Sequence, residues 1–408
     1  MTNVDDSNLK PEYEVADIFK LCGEGYKRNN GMTRKQHKVM NAIEECRTDS
    51  CGYHLDRCSH CGNTEQNFNS CRDRHCPKCQ SISRNKWVTS RLNDIIPTPY
   101  YHAVFTLPHR LHPLIIHNKE LIYDLLFSSA SKTLLTFGRD PKWLGGELGF
   151  YGILHTWGQT MWQHPHVHFI VPGGALTDDN RWLEPRYQGK FLFPVHALSK
   201  VFRGKFIEGL KVAHKENKLS FPPEETPLSH WDKFEQWLNV LVSQNWVVYC
   251  KRPFGDAEQV VRYIGRYTHR VAISNQRIVD IDGDVVSFKY KDYKAEGKLW
   301  KIMQLKAHEF IRRFMWHVLP DGFHKIRHYG FLANGRKKSS ITKIRQILHG
   351  FDNQEDCGAA DDWRPVCAKC KMGIMAPLIV VTRYGRMIIS SANGLLWGKH
   401  NNFLLDTS

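Results

Sequence analysis

The chain has 408 residues, of which 41% are hydrophobic, so it can bury a sizeable core and is not a disordered protein. Lysine and arginine outnumber aspartate and glutamate by 57 to 41, which gives a net charge of +16. This excess favours an anionic polymer as partner, and nucleic acid in particular. The length suggests two or three domains rather than one.

Three further classes are excluded by what the sequence lacks. The N-terminal region has neither the basic nor the apolar segment of a signal peptide, and no window approaches the ~18 uncharged apolar residues of a membrane helix. We therefore expect a cytoplasmic, nucleoid-associated protein with no membrane partner. The chain contains no GxxxxGK[ST] phosphate loop, so we expect no nucleotide cofactor.

The spacing of apolar residues predicts alternating helical and strand regions, separated by glycine and proline. In chain order, we expect helix at 12–48, a cysteine-rich stretch to about 80, helix at 81–96, strand at 100–107, helix at 112–136, strands at 149–158 and 164–174, helices at 196–216 and 229–245, a strand meander at 271–305 with a turn at Asp282-Gly283, and a packed helix at 307–319. This order predicts an α+β protein with an N-terminal helical and zinc-binding domain (1–96), a central domain (97–335) and a basic C-terminal region (336–408).

Two CxxC pairs lie fourteen residues apart in the N-terminal domain, Cys58 with Cys61 and Cys76 with Cys79. Twelve cysteines in a reducing compartment are poor candidates for disulfides, and this spacing is close to that of zinc ribbons. Four thiolates leave no open position on the ion, so we expect structural Zn²⁺ in a zinc-ribbon-like module. Other residues could replace a ligand or form part of a second site, namely Cys46, Cys51, Cys71 and His75. Near the C-terminus, Cys367 and Cys370 form a lone pair of unassigned role.

The segment HPHVHFIV places three histidines two residues apart, His164, His166 and His168. Strand geometry points their side chains to one face and turns Val167 and Phe169 towards the core. Pro165 fits best at or before the first residue of the strand, so His166 and His168 are the firmer pair of ligands for a divalent ion, with His164 as a candidate third. His155, on the preceding strand, is a possible neighbour across the sheet, although register cannot be read from sequence.

The segment EQVVRYIGRYTHR places Tyr263 and Tyr267 four residues apart, on one face of a helix. Gly265 costs a helix about 1 kcal/mol relative to alanine, which suggests a close approach of another backbone. A phenol can attack DNA and leave it as a covalent phosphotyrosine, but its pKa of ~10 demands help at neutral pH. A divalent ion on the histidine strand would polarise the phosphate. Three arginines suit the binding of flanking phosphates, namely Arg262, Arg266 and Arg270.

The chain resembles the two-tyrosine HUH rolling-circle transposases of the insertion-sequence ninety-one family. The matching stretches are CSHCG, SCRDRHCPKCQ, FTLPH, LHTWGQTMWQHPHVHFIVPGG, YIGRYTHRVAISN, EFIRRFMWHVLP and HKIRHYGFLANG, which sample roughly residues 50–335. The resemblance is specific because three features occur in the same order, namely an N-terminal cysteine-rich stretch, then HPHVH, then YIGRYTHR.

The resemblance implies a zinc-binding domain followed by an HUH nuclease domain, in which a central antiparallel sheet flanked by helices carries the histidines. It implies His166 and His168 as ligands of Mg²⁺ or Mn²⁺ and Tyr263 and Tyr267 as nucleophiles. It also implies nicking of single-stranded DNA at transposon ends, joining to target DNA through a 5′-phosphotyrosine, and host replication and helicase factors. Related nucleases take a third metal ligand from another side chain, for which this sequence offers His164, Glu258 and Gln259.

Two other functions fit parts of the same pattern. In the first, a zinc-dependent nucleic-acid-binding protein performs no chemistry and its tyrosines stack on bases. In the second, a metal-dependent nuclease uses the histidines to activate water instead of assisting a tyrosine. A covalent bond between protein and DNA distinguishes these functions from strand transfer.

Overall fold

The structure is a computed structural model that describes residues 11–186, 192–251, 256–292, 299–349 and 365–389. The helices are α1 (Val15–Asn29), α2 (Arg34–Glu45), α3 (Gln80–Leu92), α4 (His112–His117), α5 (Lys119–Arg139), α6 (Val195–Lys215), α7 (Trp231–Ser243), α8 (Ala257–Thr268), α9 (Ala307–Trp316) and α10 (Lys337–His349). The strands are β1 (Gly52–Cys58), β2 (Thr64–Phe68), β3 (Tyr100–Thr106), β4 (Gly149–Trp157), β5 (Gln163–Pro172), β6 (Ala175–Leu176), β7 (Trp182–Leu183), β8 (Val248–Lys251), β9 (Ile278–Asp282), β10 (Val285–Lys291), β11 (Trp300–Lys306), β12 (Ile326–Gly330), β13 (Met375–Thr382) and β14 (Met387–Ile389).

The predicted α+β class is confirmed, because helices accompany antiparallel sheets throughout the described residues. Within that part of the chain, no helix has both the length and the apolar character needed to cross a bilayer.

The chain forms two compact units, each built from separate stretches. The first comprises Met1–Lys86, His269–Val318 and Glu355–Ser408, and the second comprises Trp87–Thr268 and Leu319–Gln354. This division differs from the three consecutive domains predicted from the sequence. The cause lies in long-range pairing, which local patterns do not reveal: β13 adds to β1, and the helix that follows the strand meander packs on α1.

The first unit contains, among its described residues, a four-stranded sheet in the order β14-β13-β1-β2 and a three-stranded sheet in the order β11-β10-β9. The predicted meander is present, and Gly283 takes a positive φ of 54° at its first turn. Its predicted first strand is absent there. Residues 271–274 form no strand, and Asn275–Arg277 forms a short 3-10 helix. The buried side chain of Asn275 accepts a hydrogen bond from the N–H of Val15 at the start of α1, a contact that the local pattern does not reveal.

The second unit is built on a five-stranded antiparallel sheet in the order β12-β4-β5-β3-β8. One face carries the larger core, in which Val167 and Phe169 are fully buried beside side chains of α5 and α6. The other face carries a second cluster, to which α8 contributes Val260 and Ile264. The alternation predicted for the histidine strand is therefore confirmed for its core-facing residues.

β5 begins at Gln163, so Pro165 lies inside the strand. The sequence predicts Pro165 at or before the first residue of the strand, and that prediction is wrong. The register with β4 shifts between His155 and Trp157, so the proline lies where the ladder is irregular. Its carbonyl still accepts a hydrogen bond from the N–H of Leu107. Proline is tolerated at such a bulge because no ladder N–H is required there.

Candidate active site and metal centres

Three histidines meet on one face of the five-stranded sheet. His155 on β4 lies directly opposite His166 on β5, and Ile153 lies opposite His168. Residues paired in this way project to the same face of a sheet. One ring nitrogen from each of the three histidines lies within 4.8 Å of the others. The arrangement can therefore hold one metal ion.

Burial keeps the imidazoles of His166 and His168 neutral, which is the form that binds a metal. It lowers the pKa of His166 to about 3 and that of His168 well below its usual value. The Nδ1–H of His166 donates to the carbonyl of His164 over 2.5 Å, which leaves Nε2 with its lone pair. The Nε2 of His168 is buried and has no hydrogen-bond partner among the described residues. These groups fit a divalent cation.

The other third-ligand candidates lie outside this group. The ring of His164 lies 5.9 Å from that of His109, measured between centroids, and its imidazole is not one of the three converging ligands. Glu258 forms an ion pair with Arg262 at 2.7 Å, and Gln259 contacts Asp256. The sequence suggested His155 only as a neighbour, because its approach depends on the β4–β5 register.

The helix that carries the two tyrosines packs on the same sheet face as the histidines. Val260 and Ile264 of α8 join the cluster that contains Ile153 and Ile170, and Tyr263 packs half-buried against that cluster. Tyr267 follows one turn later in α8, and its side chain lies outside those the structure describes.

The three arginines predicted to bind DNA occupy different settings. Arg262 is exposed and forms the ion pair with Glu258. The side chain of Arg266 lies outside the described set. Arg270 is half-buried beyond the end of α8, where the chain has entered the first unit.

The structure corrects the predicted zinc set, because Cys58 and Cys61 do not join Cys76 and Cys79. The eight clustered cysteines form two groups, in each of which the four sulfurs lie within 4.8 Å of one another: Cys46, Cys71, Cys76 and Cys79, and Cys58, Cys61, Cys367 and Cys370. Four thiolates at this separation suit a tetrahedral zinc ion.

The split follows from the secondary structure around each pair. The first group forms where the end of α2 meets the turn before α3, with Sγ atoms of Cys46 and Cys79 3.4 Å apart. Cys58 lies at the end of β1, whose partner β13 brings the C-terminal CxxC to it. The remaining candidates take other partners: His75 bonds to Asp73, and the thiol of Cys51 donates to the Glu45 carbonyl.

Two protein families match separate parts of the chain. Residues 18–107 match the family described as "Transposase zinc-binding domain", and residues 149–340 match the family described as "Putative transposase". The first family match contains all four cysteines of the Cys46 group, and the second contains the three histidines and both tyrosines. No solved structure matches the chain.

Two curated relatives share most of the chain. It is 45% identical over 337 residues to "Putative transposase y4qJ" of Sinorhizobium fredii, which covers 82% of this chain and 84% of the relative. It is 28% identical over 303 residues to "Transposase for insertion sequence element IS801" of Pseudomonas savastanoi pv. phaseolicola, which covers 73% of this chain and 69% of the relative. The chain therefore belongs to the IS91/IS801 family of insertion-sequence transposases, DNA-processing enzymes in which a zinc-binding domain precedes the transposase domain.

Proposed function

We propose that this transposase nicks single-stranded DNA at the ends of a mobile element and rejoins it through a 5′-phosphotyrosine on Tyr263 or Tyr267. The observation that carries the proposal is the convergence of three imidazoles on the sheet face against which the tyrosine helix packs. The imidazoles that would hold a cation and Tyr263, which would act as a nucleophile, thus lie on one face of one sheet.

The strand-transfer step balances without an external energy source. A tyrosine oxygen attacks the scissile phosphorus and forms a new P–O bond, while the bond to the 3′ oxygen breaks. The phenol proton passes to that oxygen, directly or through solvent, and leaves a free 3′-OH. In the reverse step a 3′-OH attacks the phosphotyrosine and releases the phenol. Because one phosphoester replaces another, rolling-circle transposition by this route needs no nucleotide cofactor at the transfer step.

His155, His166 and His168 would hold the Mg²⁺ or Mn²⁺. When bound, the ion supplies Lewis-acid stabilisation of charge on the scissile phosphate. His166 presents Nε2 because its Nδ1–H is committed to a carbonyl. Three basic side chains would bind flanking phosphates, namely Arg262, Arg266 and Arg270.

The proposed substrates are single-stranded transposon ends and target DNA, which would place the protein at the nucleoid. The chain has no phosphate-loop motif with which to drive strand separation, so host replication and helicase factors would supply the single strand.

The test is an assay for a covalent adduct. We expect the full-length protein, with Mn²⁺ or Mg²⁺ and a 3′-labelled single strand spanning an element end, to retain label after denaturation in SDS. The Tyr263→Phe, Tyr267→Phe double variant should lose the adduct, because phenylalanine keeps the ring and removes the nucleophile. Tyr384→Phe, at an exposed tyrosine of the first unit, is the matched control and should retain it.

Three outcomes would overturn the proposal. Persistence of the adduct in the double variant would remove both tyrosines from the nucleophile role. Free ends without an adduct would indicate hydrolysis by water, and binding without any product would indicate a non-catalytic protein.

The His166→Ala and His168→Ala variants should lose cleavage while keeping their DNA affinity, and normal cleavage by both would exclude the histidine metal site.

A further inference from the structure

Four cysteines from distant parts of the chain, Cys58, Cys61, Cys367 and Cys370, converge in the first unit. The match to the zinc-binding family ends at residue 107, so two of these ligands lie far outside it. We propose that this group is a second structural zinc site, which fastens the C-terminal strands β13 and β14 to the N-terminal zinc-binding domain.

The two CxxC segments form equivalent turns, as the halves of a tetrathiolate zinc site do. In the first, the N–H of Gly62 donates to the carbonyl of Cys58 over 3.2 Å. In the second, the N–H of Lys371 donates to the carbonyl of Cys367 over 2.8 Å. Gly62 and Lys371 both take a positive φ, 69° and 57°. The non-glycine residue in this left-handed conformation indicates that the turn is held by its surroundings.

Backbone N–H groups point at the sulfurs of this group. The amides of His60 and Cys61 approach the Sγ of Cys58 at 3.4 and 3.5 Å, and the amide of Gly373 approaches the Sγ of Cys370 at 3.4 Å. Donors aimed at sulfur stabilise the thiolate over the neutral thiol. Thiolate is the form that binds zinc, so the two turns are organised for metal binding.

The separations between the sulfurs match a tetrahedral site. Tetrahedral Zn–S bonds of ~2.3 Å place sulfurs about 3.8 Å apart. The Sγ atoms of Cys58 and Cys370 lie 3.6 Å apart, and those of Cys61 and Cys367 lie 3.8 Å apart. These distances exceed the ~2.05 Å of a disulfide.

Independent backbone pairing brings the two turns together. β1 and β13 are antiparallel, with Cys58 opposite Met375, and the N–H of Ser59 donates to the carbonyl of Ile374. A Cβ added to Gly373 would lie 2.3 Å from the Sγ of Cys58, so only glycine leaves room for the sulfur there. Backbone pairing between β1 and β13 therefore brings the four cysteines together independently of any contact between their sulfurs.

The experiment counts zinc in full-length protein that carries His166→Ala and His168→Ala, so that the histidine site adds none. We expect two zinc ions per chain by elemental analysis. Adding Cys367→Ser and Cys370→Ser should lower the content to one, and adding Cys76→Ser and Cys79→Ser instead should remove the other ion. Cys22→Ser, outside both groups, is the control and should retain two.

A second measurement keeps the inference testable if the serine variant does not fold. Cys367→His offers a Cys₃His ligand set and should retain two metals, with cobalt loading showing a changed visible spectrum at one site only. Two outcomes would overturn the second site. One is a content of one zinc ion per chain in protein that keeps all eight cysteines of the two groups, and the other is a thiol titration showing that Cys58 and Cys370 form a disulfide.

Discussion

His102 is a neighbour of the proposed metal site that no motif in the sequence indicates. Its Nε2 lies 2.7 Å from the Nδ1 of His168, and burial lowers its pKa to about 4, so its ring is neutral. For the Nε2 of His168 to bind a metal, the proton of His168 must lie on Nδ1 and be donated to His102. In the proposed metal site, His102 would therefore be a positioning residue that selects the tautomer and orientation of a ligand.

We expect His102→Ala to weaken Mn²⁺ binding by about 10- to 100-fold, the range usual for the loss of such a contact. His102→Gln should restore part of the affinity, because its amide oxygen can accept the same hydrogen bond. Titration calorimetry measures the change. His214→Ala is a control on α6, where His214 lies close to the Leu228 carbonyl, and it should bind Mn²⁺ normally. Equal affinity for His102→Ala and the unaltered protein would contradict this role.

Local spacing predicts which residues share a face but not which strands become neighbours. The two-residue period placed Val167 and Phe169 in the core correctly. It could not give His155 as the third converging imidazole, because that depends on the β4–β5 register. Likewise, local spacing pairs Cys58 and Cys61 with the next CxxC along the chain, whereas β-sheet pairing gives them partners more than 300 residues away.

At the scale of elements, the contact between α8 and α3 positions the tyrosine helix. The sequence suggested that Gly265 admits another backbone, but the neighbour is a side chain: an added Cβ would lie 2.3 Å from the Cγ2 of Val88. Helical periodicity predicted both helices, whereas their close crossing depends on the tertiary fold. The glycine is therefore needed for packing in spite of its low helix propensity.

We expect Gly265→Ala to lower the melting temperature, because overpacking costs about 1–3 kcal/mol and outweighs the ~1 kcal/mol gain in helix propensity. Combining it with Val88→Ala should recover much of the loss by removing the methyl group in conflict. Gly204→Ala is the control in α6, where a Cβ meets nothing within 4 Å, and it should raise the melting temperature. A stabilising effect of Gly265→Ala alone would contradict the close contact.

At the scale of the molecule, the net charge of +16 predicts strongly salt-dependent binding to single-stranded DNA. Each neutralised phosphate contributes about −0.7 to the slope of log K against log salt. We expect a slope near −4 for about six contacts, measured by fluorescence anisotropy, and a slope shallower by about 0.7 for Arg262→Ala. Arg181→Ala is the matched control, because Arg181 is also exposed and ion-paired but lies in the β6–β7 turn rather than in α8, and it should leave the slope unchanged. Binding that does not weaken with salt would contradict a phosphate-based interface.

The pairing of β1 with β13 also sets an order of events during synthesis. Cys61 and Cys367 are 306 residues apart, an interval that a ribosome translating at about 5–20 residues per second covers in roughly 15–60 s. Until then only two of the four proposed zinc ligands, Cys58 and Cys61, have been synthesised. A product released early, before residue 367, would never complete that centre, so the second zinc ion would mark chains whose translation has passed this point.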